Sequence, residues 1–136
     1  MDMKRLYITY CSGTKDNSLK SSNEAVTPDK LYISRRIERF ADKCRAAGCK
    51  WAILSDKYGV VFSDDKIRWY EKAPDDVTAE EYKVLCSEFL QKTNDYEEIW
   101  FFYEDNTFHP LHKRLINECI QSGKKIIAFN DLEEIK

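Results

Sequence analysis

Four short apolar runs alternate with amphipathic stretches along this chain. Leu6-Tyr7-Ile8-Thr9-Tyr10, Trp51 to Ser55, Ile99-Trp100-Phe101-Phe102-Tyr103 and Lys125 to Phe129 are each apolar on nearly every position. That pattern marks strands covered on both faces rather than strands with one side in water. Between the first two runs, Ile33, Ile37, Phe40, Ala41, Cys44 and Ala47 recur at helical spacing. Ser34 stands at the start as a cap, Arg and Lys fill the outer face, and Gly48 ends the helix.

A second helix opens at Thr78, which forms a capping box with Glu81, and Val77 is placed to staple onto Tyr82. Its apolar stripe is Tyr82, Leu85, Cys86, Phe89 and Leu90. A third begins after an Asn106 or Thr107 cap with Pro110 in its first turn, carries Leu111, Leu115, Ile116, Cys119 and Ile120, and stops at Gly123. A short helical turn is expected after Asn130-Asp131. Val60 to Glu71 shows no clear period and reads as irregular, or as a short strand carrying Ile67, Trp69 and Tyr70. The segment Asp16 to Asp29 is a long polar loop broken by Pro28, a length that points to function or mobility.

The order β-α-β-(irregular)-α-β-α-β predicts the α/β class, a three-layer αβα sandwich with a mainly parallel sheet of about four strands. At 136 residues the chain fits one domain, 1–136, with a real core. Composition agrees: 43% hydrophobic residues, with 7 Phe, 8 Tyr and 3 Trp, argue against disorder. The 22 basic and 24 acidic residues leave a net charge of −2, so no global field draws the chain to nucleic acid or to an anionic membrane.

No apolar run approaches a membrane span, and the charged start Met1-Asp2-Met3-Lys4-Arg5 leads into too short a run for a secretion signal. A cytoplasmic protein is expected. Five cysteines without a CxxC pair indicate neither a disulfide framework nor a zinc ribbon, and Cys44, Cys86 and Cys119 read as small core residues. No cofactor motif is present. The turn Cys11-Ser12-Gly13-Thr14-Lys15 is too short for a P-loop.

In open parallel sheets, ligands bind beyond the C-terminal ends of the strands. The residues there are Cys11 to Lys15, Ser55 to Gly59, and Tyr103 to Asn106. Together they offer a thiol, hydroxyls, lysines, phenols and carboxylates, the makings of a polar pocket. Cys11, beside backbone donors and Lys15, is a candidate nucleophile, with packing at a strand end as the plain alternative. Lys15 and Lys57 are candidate anion contacts, and Lys15 is also a candidate catalytic amine.

His109 and His112 are the only histidines. Their i, i+3 spacing suits two metal ligands, or one of them serving as an acid–base group at the sheet edge. No further ligand stands at matching spacing, so no metal site is expected. Arg35, Arg36 and Arg39 form a basic helix face, diluted by Glu38 and Asp42, that reads as solvated.

Four stretches carry a resemblance. Cys11-Ser12-Gly13-Thr14-Lys15, Leu31-Tyr32-Ile33-Ser34, Ile53-Leu54-Ser55-Asp56-Lys57-Tyr58-Gly59-Val60-Val61 and Ile67-Arg68-Trp69-Tyr70-Glu71 resemble a family of small α/β proteins distantly related to the YaaA peroxide-stress proteins. The first motif is also similar to one in the core domain of archaeosine synthase, which adds lysine to the nitrile of a deazaguanine base in archaeal tRNA. The likeness covers the first half of the chain. Asp16-Asn17 follows Lys15 where the synthase motif has Pro-Tyr, and Asn23 stands at its histidine position. Ser18 and Ser22 match its serines, and Trp69-Tyr70 replaces the Pro-Tyr of relatives.

The resemblance implies a nucleobase- or nucleic-acid-related protein with a small-ligand pocket, as an enzyme acting on a modified base. In that reading Ser12, Gly13 and Thr14 supply donors, and Lys15 and Lys57 supply charge. Ser55, Tyr58, Gly59, Tyr70 and Glu71 shape the ligand site, with Cys11 as the nucleophile. The implied partners are a small anionic or nucleobase-like ligand, and tRNA or DNA, with no membrane. The alternative implied by the YaaA relationship is a non-catalytic nucleic-acid-binding or stress-response module.

Overall fold

The computed structural model describes residues 4–136, so Met1 to Met3 of the charged start lie outside the described residues. The strands β1 (Arg5–Tyr10), β2 (Trp51–Ser55), β3 (Gly59–Phe62), β4 (Glu98–Phe102) and β5 (Ile126–Phe129) form one sheet in the order β3-β2-β1-β4-β5. Pairing is parallel between β1 and β2, β1 and β4, and β4 and β5. Only β3 runs antiparallel, against β2. The sheet therefore has five strands rather than about four.

The added strand lies in the stretch that sequence left irregular. Gly59 takes φ +73°, which turns the chain back within three residues of β2. Val60 and Val61 then pair with Leu54 and Ile53. Ile67 joins no strand; its backbone pairs with Val26 in an isolated bridge that pins the polar loop to the body of the domain. That loop is partly ordered by a short 3-10 turn over Asn17–Leu19 and by α1 (Pro28–Leu31).

Alternation along the strands sends side chains to two cores. Tyr7, Trp51, Ile53, Phe102 and Phe129 pack with Ile37, Phe40, Ala41 and Cys44 of α2 (Arg35–Ala47). Leu6, Ile8, Leu54, Ile99 and Phe101 pack under α3 (Ala79–Lys92) and α4 (Pro110–Gln121). This is the three-layer sandwich. Burial of each of these large side chains is worth about 1.5–3 kcal/mol before entropy is counted.

Caps follow local chemistry. Ser34 accepts from the Ile37 N–H, Gly48 closes α2 in the left-handed region, and Thr78 with Glu81 forms the capping box of α3. The start of α4 differs from expectation. Its N-cap is His109, whose Nδ1 accepts from the Leu111 N–H at 3.0 Å, and neither Asn106 nor Thr107 fills that place. Pro110 fixes the first turn, so the residue before it takes the extended cap geometry whatever its side chain.

From β1 the chain crosses to β2 on one side, whereas the next parallel strand, β4, adds to the other side of β1. The helices that follow β1 and β4 accordingly lie on opposite faces. Between the C-terminal ends of β1 and β4 the sheet therefore opens a crevice, the usual place for a ligand in such folds.

Candidate functional site

A cavity of about 610 Å³ lies at that crevice. The end of β1 supplies Tyr10, Cys11, Ser12, Gly13 and Lys15, while Asp56 follows β2 and Glu104 follows β4. Helix α2 contributes Arg36, the start of α4 brings His109 and His112, and Glu71 to Pro74 with Asp76 form a further wall. No residue of the polar loop 16–29 is part of the wall, so that loop leaves the edge open.

Asp56 and His112 are the most buried charged groups of the wall, 3% exposed each. Asp56 Oδ1 lies 2.8 Å from His112 Nε2, and Asp56 Oδ2 accepts the Cys11 thiol at 3.4 Å. A carboxylate only accepts, so the imidazole proton in this contact belongs to Nε2. His112 Nδ1 is buried and has no hydrogen-bond partner among the described residues. The ring is held flat against Tyr10, with centroids 5.5 Å apart and planes 20° apart. A buried imidazole oriented by a carboxylate, with its second nitrogen unpaired, is equipped to take or give a proton.

Cys11 is a donor here rather than a ready nucleophile. Burial, and then the neighbouring Asp56 charge, push its thiol up to about 12. A low thiol value needs positive neighbours or a helix N-terminus, and the nearest charged partner of this sulfur is a carboxylate.

Two cations face the same space. Lys15 is only 8% exposed, with its Nζ 4.3 Å from the centre of the Tyr70 ring and 5.8 Å from that of Tyr32. Burial pulls its ammonium below the ordinary value, while Cys11, Asp56 and Glu71 oppose the shift. The extended segment that carries Lys15 is fixed by a bridge to Tyr32, the residue that ends α1.

Arg36 does not belong to a solvated basic face. It is buried, and its guanidinium donates to Thr9 Oγ1 at 2.7 Å, to the Tyr10 carbonyl at 2.8 Å and to the Cys11 carbonyl at 3.1 Å. It also stacks 3.8 Å over the Tyr10 ring. Arg35 and Arg39 remain exposed. Position 36 falls beside Ile37 and Phe40 on the inner side of the helix, and the orphan carbonyls at the end of β1 give an inward arginine its partners.

Below Lys15 lies a buried chain of hydroxyls. Tyr32 and Tyr70 share a hydrogen bond of 2.6 Å, and the Ser55 hydroxyl donates to Tyr70 at 3.0 Å while accepting the Lys57 and Tyr58 N–H groups. Burial raises both phenols well above their ordinary value, so they stay protonated.

Of the residues singled out in the sequence, Cys11, Ser12, Gly13, Lys15 and Glu71 come together in the cavity wall. Ser55 and Tyr70 form the buried layer beneath it. Thr14 is exposed and uses its carbonyl to accept from the Ile33 N–H. Lys57 faces a separate shallow depression beside Glu80, Glu81 and Glu88. Tyr58 packs edge-on against Tyr70, and Gly59 makes the β2–β3 turn close to the Glu88 side chain.

His109 and His112 do not act as a pair. His109 caps α4 and reaches Asp75 at 3.1 Å through Nε2, whereas His112 turns to Asp56. The sequence reading did not single out Asp56 or Arg36 for the site. The available signal for Asp56 was its place directly after a strand end, within the set Ser55 to Gly59.

Neither a protein-family model, nor a curated protein, nor a solved structure matches the chain.

Proposed function

We propose that the protein binds a small anionic or nucleobase-like ligand in the β1/β4 crevice and acts on it by proton transfer through His112. One observation carries this reading: the buried Asp56–His112 pair opens onto the same 610 Å³ cavity as the cations Lys15 and Arg36. Space of that size suits a ligand of nucleoside dimensions. Lys15 offers charge to a phosphate or to a base carbonyl, and Glu71, Asp76 and Glu104 offer acceptors to ring N–H groups. The likeness of Cys11 to Lys15 to the archaeosine synthase motif supports a modified base as substrate.

The roles follow from the environment of each group. Lys15 and Arg36 bind and orient, Asp56 fixes the imidazole, and His112 moves the proton. Cys11, protonated and bonded to Asp56, helps to hold the carboxylate. Five unpaired thiols, and no helix among the described residues long and apolar enough to cross a membrane, agree with a cytoplasmic place of action.

A nucleic-acid-binding module without catalysis gains no support from the arginines of α2. Arg36 is turned inward, and Arg35 and Arg39 share their surface with Glu104, Asp131 and Glu133. The test is a thermal-shift screen of free bases, nucleosides and 5′-mononucleotides in the presence of a chelator, followed by mass analysis for product. Stabilisation of the native protein that is lost in Lys15→Ala, and product formation lost in His112→Gln, are expected. No ligand-dependent shift, or equal product from His112→Gln, overturns the reading.

A further inference from the structure

We propose that Cys11, Asp56 and His112 form a binding site for one divalent transition metal of the zinc class, open to the cavity on its remaining side. This rests on the reading of the crevice as the functional site and deepens it: with the metal bound, His112 and Asp56 serve as ligands and no longer as the proton-transferring pair of the metal-free protein. The three residues come from unrelated parts of the chain: the end of β1, the residue after β2 and the first turn of α4. One ligand atom from each lies within 4.8 Å of the other two. Cys11 Sγ lies 3.4 Å from Asp56 Oδ2 and Asp56 Oδ1 lies 2.8 Å from His112 Nε2, so the three donors already crowd one point and need only small side-chain shifts to close on a metal.

The donor set fits that metal class. One thiolate, one imidazole and one carboxylate form a mixed borderline set that suits zinc, whereas magnesium and calcium take oxygen alone. Three protein ligands with a fourth position left free is the pattern of catalytic rather than structural zinc. All three residues line the cavity, so the fourth position belongs to water or to the bound ligand. There a metal would polarise a carbonyl or activate a water. Binding exchanges the hydrogen bonds Cys11–Asp56 and His112–Asp56 for metal bonds; the thiol proton leaves to solvent and the imidazole proton moves from Nε2 to the unpaired Nδ1.

Support around the ligands is present. Arg36 anchors the Cys11 carbonyl, and the stacked Tyr10 ring fixes the plane of His112. Such outer contacts orient metal ligands and tune their affinity. His109 takes no part, because both of its ring nitrogens are already engaged.

The experiment titrates the metal-free full chain with Zn2+ alone, by calorimetry, and with Co2+ alone, by absorption. One equivalent of Zn2+ is expected to bind. Co2+ should give tetrahedral d–d bands together with a thiolate-to-cobalt charge-transfer band. Cys11→Ser should lose the charge-transfer band. His112→Gln should weaken binding by more than the roughly 10- to 100-fold that loss of an outer-shell partner costs.

Circular dichroism confirms that each variant is folded, and the wild-type Co2+ spectrum reads the site even where one is not. Failure to take up one equivalent overturns the proposal. So does a Co2+ spectrum without the charge-transfer band, or Zn2+ affinity unchanged in folded Cys11→Ser and His112→Gln. Since no nucleotide is added here and the ligand screen is run with chelator, failure of this site and failure of the ligand reading are read separately.

Discussion

Asp56 Oδ1 and His112 Nε2 meet at 2.8 Å with both side chains buried, joining the end of β2 to the first turn of α4 across the end of β1. Asp56 accepts from His112 through one oxygen and from Cys11 through the other. Asparagine keeps the shape but replaces one acceptor by a donor that faces another donor. Asp56→Asn is expected to destabilise the domain by about 1–3 kcal/mol, the usual cost of leaving buried polar groups unpaired. Urea unfolding of the two proteins checks this.

Cys11 should be slow to alkylate at neutral pH, because burial and the Asp56 carboxylate hold its thiol up to about 12. The thiolate is the reactive form, so the rate should keep rising with pH well beyond the ordinary thiol value of 9.0. Iodoacetamide labelling followed by peptide mass analysis is expected to find Cys49, where the Arg5 charge opposes the effect of burial, modified before Cys11. In Asp56→Asn, with the opposing charge gone, Cys11 labelling should accelerate.

Arg36 holds three acceptors at the end of β1 from a buried position. Hydrogen bonds from a charged group are worth about 1.5–3 kcal/mol each, and the orphaned carbonyls add their own cost. Arg36→Ala is expected to lose about 3 kcal/mol or more by urea unfolding. The exposed neighbours serve as controls: Arg35→Ala and Arg39→Ala should stay within about 0.5 kcal/mol of the wild type.

Glu98 should set part of the acid limit of the fold. Lys125 at 2.5 Å, the Trp100 indole N–H at 3.1 Å and Arg5 hold its carboxylate at about 2, below its ordinary 4.5. A carboxylate with a depressed folded value stabilises fully above the unfolded value, and that contribution is lost as pH falls through the folded one. The midpoint of thermal unfolding should therefore drop between pH 4.5 and about 2, and Glu98→Gln should flatten that drop.

The layers and four of the strands were legible because period and burial coincide in them. Ile37, Phe40 and Cys44 repeat at helical spacing, and β1, β2, β4 and β5 are apolar runs between polar breaks. The strand β3 was hidden because four residues, Gly-Val-Val-Phe, are too short to show a period. Its pairing is fixed by the turn at Gly59.

Within the site, Cys11, Lys15 and Glu71 were legible from their place at or near the strand ends. Asp56 and His112 were not legible as a pair, since they lie 56 residues apart and only the crossing of β1 between them brings them into contact. Arg36 was misread because a solvated arginine and a buried one look alike until the carbonyls it serves are placed.

The most direct test of the central claim, a ligand site between β1 and β4, is an amide chemical-shift titration of the labelled chain with nucleoside 5′-monophosphates. Lys15→Met is titrated beside the wild type. The account predicts that the shifted amides cluster at residues 11–15, at 56, at 104 and at 109–112, and that Lys15→Met weakens binding by about 10-fold, the equivalent of roughly 1.4 kcal/mol. Shifts confined to the exposed Arg35 and Arg39 surface, or affinity unchanged in Lys15→Met, would contradict it.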